Sequence, residues 1–127
     1  MALLAIPAPA AACDGWGVPF RSGSSALSRR AERGLSRFLV EVGRLEQEER
    51  ASGARPWHYR VDGLADWRGP APNPALARRR AEIVRARLIG LRVSAAKIAI
   101  GATAGERGAD GAMIAFGPSG TMCGGDR

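Results

Sequence analysis

Apolar side chains recur at positions 27, 31, 35, 38, 42 and 45 (Leu27, Ala31, Leu35, Phe38, Val42 and Leu45). Steps of three and four predict an amphipathic helix of about six turns, capped from among Ser22, Ser24 and Ser25 and ended by Ser52-Gly53. Ahead of it, Gly15 to Phe20 reads as a short extended entry. Trp57, Tyr59 and Val61 then alternate with His58, Arg60 and Asp62, which predicts a strand whose end is left through Gly63-Leu64-Ala65-Asp66. A loop rich in Gly, Pro and Asn runs to Asn73-Pro74, an N-cap followed by proline at the first helical position. That second helix is expected to run to about Gly90, followed by strands over Lys97 to Thr103 and Ala112 to Phe116. The predicted order is β-α-β-α-β-β, an α+β sandwich with two helices packed on one face of a mixed sheet.

The second helix carries the one position that breaks its own pattern. Leu76, Ala77, Ala81, Ile83, Val84, Leu88 and Leu91 form a broad apolar stripe, and Arg78, Arg79 and Arg85 fall outside it. Arg80 falls inside, one turn after Leu76 and one turn before Val84. A guanidinium on a core face is costly unless it meets an anion. The nearest candidate along the chain is Asp66, across the short loop. Two readings stay open. An arginine fork, free helix N-terminal N–H groups and an aspartate suit a small zwitterion, the Arg taking its carboxylate and the Asp its ammonium. Equally, Asp66 and Arg80 form an internal ion pair that only orients the loop.

Composition narrows the classes. The chain has 127 residues, 46% of them hydrophobic and 24% charged, the balance of one globular domain with a substantial core. No apolar run reaches the roughly 20 residues of a transmembrane helix. Nineteen basic against twelve acidic side chains give a net charge of +7, which attracts polyanions without choosing among them. Nucleic acid is disfavoured as a partner, because the arginines are scattered and few aromatics are available for stacking. His58 is the sole histidine, and no Ser/His/Asp, Cys/His or paired-carboxylate set accompanies it, so neither an enzyme nor a cofactor or metal site is expected.

The ends point to export. Met1 to Ala12 is a stub of apolar residues followed by small-x-small patterns, the remnant expected of a secretory signal peptide with its start upstream. Cys13 and Cys123 stand near opposite ends, a placement that suits a disulfide in an oxidising compartment. Closing so long a loop stabilises by about 4–5 kcal/mol in the chain-entropy model. Lipidation of Cys13 and two free thiols are the alternatives. Residues 118–127 form a Gly-rich tail.

Val61-Asp62-Gly63-Leu64-Ala65-Asp66, Gly69, Asn73-Pro74-Ala75-Leu76-Ala77 and Arg79-Arg80-Ala81 together resemble the OmpA-like peptidoglycan-binding domain, the family of the OmpA C-terminal domain, the peptidoglycan-associated lipoprotein and MotB. Phe20 with Gly23-Ser24-Ser25 and Leu27 resembles the family's opening, and Lys97-Ile98 its third strand. The resemblance covers about residues 17–117, and residues 13–117 are expected to form such a domain. It implies a non-catalytic module that clamps the diaminopimelate of the peptidoglycan stem peptide, Asp66 on the amino group and Arg80 on the carboxylate. Asn73 matches the family's loop-to-helix Asn, a helix cap, a ligand contact or both, and Leu76 matches a core Leu whose neighbourhood walls the pocket. Trp67 stands next to Asp66, at the pocket rim or as a loop anchor. The implied location is the periplasm, with outer-membrane association compatible. The chain also departs from the family. The Asp66–Arg80 loop is one residue shorter, Leu64-Ala65 replace a polar pair, and Ala77 replaces a serine. Ala104-Gly105-Glu106 follows the third strand, where Gly-x-Gly-Glu is usual. These losses of polar groups keep a second expectation open, a structural or protein-interaction domain of the same fold without a wall ligand.

Overall fold

A computed structural model describes residues 15–53, 57–65, 73–104 and 110–118. The elements are β1 (Gly15–Val18), α1 (Arg29–Ala51), β2 (Trp57–Ala65), α2 (Pro74–Gly90), a 3-10 turn at Ala95–Lys97, β3 (Ile98–Ala104) and β4 (Gly111–Pro118). The strands form one sheet in the order β1-β4-β2-β3. β2 and β3 run parallel, joined through α2, while β4 is antiparallel to both β1 and β2. This is the α+β arrangement, two helices and a mixed four-stranded sheet, that the hydrophobic pattern predicts.

Several boundaries move, each for a physical reason. α1 is capped by Ser28, whose side chain accepts the Ala31 N–H at 3.0 Å, and not by Ser22, Ser24 or Ser25. Those earlier residues are spent on a turn. Ser24 N–H donates to Arg21 C=O at 2.9 Å, and Ala26 N–H to Ser24 Oγ at 3.0 Å. Leu27 therefore packs on the core from outside the helix, and Leu45, expected on the buried face, is exposed. β2 does not end at Asp62 but continues to Ala65, with Trp57, Tyr59, Val61, Gly63 and Ala65 all turned inward. Lys97 belongs to the 3-10 turn, so β3 starts at Ile98. β4 extends two residues beyond Phe116 and starts one before Ala112.

The core lies between sheet and helices. Leu35, Phe38 and Val42 of α1 meet Val18, Trp57, Tyr59, Val61 and Ile114 of the strands, and Ala81, Val84 and Leu88 of α2 complete it. Phe38 links layers, with its ring centroid 5.3 Å from Trp16 and 5.4 Å from Phe116. α2 approaches the sheet so closely that a Cβ on Gly63 would stand 1.7 Å from Ala77 C=O. Only glycine permits that contact.

Candidate functional site

The site grows from the junction of β2 and α2. Asn73 caps α2, its Oδ1 accepting the Leu76 N–H at 3.1 Å, and Pro74 occupies the first helical position, where a missing N–H costs nothing. Of the roles open to Asn73, capping is therefore observed. Two turns in, Arg80 faces the sheet and is 0% exposed. Leu76 is half-buried beside it on the helix, and Arg78 and Arg79 are exposed, Arg78 pairing with Glu82 at 3.2 Å.

Among the described residues, four acceptors drawn from three parts of the chain hold Arg80. Nε donates to Ser24 C=O at 2.8 Å and Nη2 to Arg21 C=O at 3.1 Å, both in the turn between β1 and α1. Nη1 donates to Leu64 C=O near the end of β2 at 2.7 Å and also to the Asp110 carboxylate. The Phe20 ring lies against the guanidinium, 5.2 Å from centroid to Cζ. A guanidinium has five N–H donors, so four are engaged. This explains how a full charge is tolerated in the core: each donated proton has a partner, and a carboxylate balances the charge. Asp110 keeps 27% of its side chain exposed, so the pair is closed on the arginine side and open to water on the aspartate side.

Sequence reasoning thus located Arg80 and missed Asp110. Asp66 and Trp67 lie outside the described residues, as do Cys13, Cys123 and residues 1–12. Asp110 is far from Arg80 along the chain, and what brings them together is register. Leu64 pairs with Gly111, which sets Asp110 alongside the end of β2. Gly111 makes this possible, with φ at +105° and a would-be Cβ only 2.5 Å from Val18 C=O. An Asp-Gly pair ahead of an alternating run was the available signal, but the partner strand was not readable from it.

No family model and no curated protein sequence matches the chain. Solved structures do match. The C-terminal domain of Helicobacter pylori MotB (residues 125–256) superposes with a TM-score of 0.60 at 16% identity, covering 80% of this chain and 84% of that one. Another structure of the same MotB domain gives 0.58 at 18%, covering 82% and 84%. The OmpA-like resemblance read from the residues is thus met at the level of the fold, by the domain of a protein the resemblance itself includes.

Proposed function

We propose that the domain is a non-catalytic module that binds peptidoglycan in the periplasm, recognising the diaminopimelate of the stem peptide. Arg80 receives the ligand carboxylate and Asp66 its ammonium group. The observation that carries this reading is the buried guanidinium at the β2–α2 junction, already holding a carboxylate and bonded to Leu64, two residues before Asp66 in sequence. A fixed fork with a carboxylate on one edge is the chemistry an amino-acid ligand requires. The fold likeness to the MotB C-terminal domain supports the same reading.

One observation favours a second reading, a scaffold that no longer binds the wall. Arg80 is 0% exposed, and backbone carbonyls take three of its donors. In the first reading, the ligand carboxylate exchanges with Asp110 on Nη1. In the second, Asp110 stays in place permanently.

Co-sedimentation with diaminopimelate-type sacculi at physiological salt separates them. Wild type pellets, Asp66→Ala and Arg80→Lys reduce binding at least tenfold with unchanged circular dichroism, and free diaminopimelate competes. Wild type left in the supernatant establishes the scaffold reading, and variants that pellet as well as wild type overturn the Asp66–Arg80 clamp.

A further inference from the structure

A second surface lies away from this site. β1 is the outermost strand of the sheet, with β4 on one side and no described strand on the other. Between it and the N-terminal half of α1 runs a groove of about 410 Å³, within the range of ligand sites. Trp16, Gly17 and Pro19 line one wall, and Arg30, Arg33 and Arg37 the other. Gly34 sits between the arginines with open space where a Cβ would be, so the floor is not filled from the helix.

Among the described residues the charge on this groove has one sign: no acidic side chain lines it, and none of the three arginines is in an ion pair. Elsewhere the same helix neutralises its basic groups locally, with Arg44 bonded to Glu41 and Glu48. Trp16 rests on Phe38 yet stays 38% exposed, an apolar wall at one end. The two walls also match in length. Arg30 to Arg37 spans about 10 Å at the helical rise, and Trp16 to Pro19 about 10 Å at the strand rise.

We propose that this groove binds an acidic, extended peptide segment of a partner protein as an added strand on β1. Backbone N–H and C=O groups on the edge of β1 away from β4, which no described strand occupies, pair with the segment, the mode by which sheet edges capture peptides. Side chains on one face of such a strand recur about every 6.6 Å. The arginines step along the helix by about 4.5 and 6 Å, so successive carboxylates on that face come within side-chain reach of successive guanidinium groups. Phosphate polymers and anionic membranes satisfy the arginines but leave the strand edge unused.

Fluorescence anisotropy of a labelled peptide alternating Glu with Thr, titrated with the whole chain at physiological salt, tests this. The peptide binds. Replacing Glu by Gln in it, or making Arg33→Glu with Arg37→Glu in the protein, weakens binding at least tenfold. N-methylation of alternate peptide amides abolishes binding in one register and spares it in the other. Sedimentation on sacculi is unchanged by the arginine variants, which keeps this result independent of the Arg80 site. Absence of peptide binding overturns the proposal. So do equal binding of both N-methylated registers and preferential capture of polyphosphate or anionic vesicles. Circular dichroism with the milder Arg33→Gln variant checks that folding is intact.

Discussion

The two helices cover the same sheet in opposite ways. α1 stands off from the strands on large side chains, Leu35, Phe38 and Val42, and shows water a polar outer face broken by Val40, which is 71% exposed. α2 has a weaker apolar stripe, because a charged residue lies inside it, and presents alanines where α1 presents bulk. Ala77 and Ala81 allow α2 to settle onto Gly63, and Arg80 then reaches carbonyls on the turn before α1 and on β2. Strand β2 records both neighbours. Its first half meets α1, with Glu46 accepting the Trp57 N–H at 2.8 Å, and its second half lies under α2. A helix that only covers can be recognised by its pattern, whereas a helix that holds a site carries the exception to the pattern.

The strongest way to break this contrast is to remove the exception. Arg80→Ala leaves Asp110 without its arginine countercharge and takes one donor away from each of three carbonyls. The expected loss is about 3–5 kcal/mol, read from urea unfolding. A loss below about 1 kcal/mol would show that Arg80 is not the structural centre of α2. Next comes close approach. Gly63→Ala places a methyl on the Ala77 backbone, which cannot rotate away as a side chain can, and costs about 3 kcal/mol. The equivalent change at Gly34 of α1 meets open space and stabilises by up to about 1 kcal/mol through helix propensity.

The α1 half of β2 gives a pH signature. Burial, and to a lesser degree the Glu46 carboxylate, push the Tyr59 phenol from its usual 10 up to about 12. The folded state holds that proton more tightly than the unfolded chain does. The associated stability is fully present below pH 10 and lost as pH rises through about 12. Tyr59→Phe removes this slope from a stability–pH curve, and an unchanged slope would assign it to another group. The smallest effect is at the caps. Ser28→Ala and Asn73→Ala each remove one side-chain acceptor from a helix N-terminus and cost about 1 kcal/mol. If Asn73 has a ligand role as well, only Asn73→Ala will also lower sacculus binding.

Local chemistry was legible from the residues alone. The alternation from Trp57 to Asp62, the Asn73-Pro74 helix start and the stripe of α2 depend on neighbours within a few positions, and all three recur in the structure. So did the misfit of Arg80, since a helical wheel needs no tertiary contact. Element boundaries were less legible where a tertiary contact competed. Ser24 looks like a cap, but its carbonyl belongs to Arg80, so the turn is held open until Ser28. β2 outlasts its alternating pattern because Gly63 is an inward position whose missing side chain makes room for α2.

What the amino-acid order determined, then, was the set of elements, the two-layer architecture and the presence of one buried guanidinium requiring an anion. Which anion it meets was decided by the fold. Asp110 reaches Arg80 through the pairing of Leu64 with Gly111, a register set by strands far apart in the chain. Hydrophobic periodicity specifies which face of a strand is buried, but the choice of neighbour depends on the packing of the whole sheet. The same holds for the groove beside β1. Its arginines read as an ordinary solvated face until the sheet order leaves β1 at the edge.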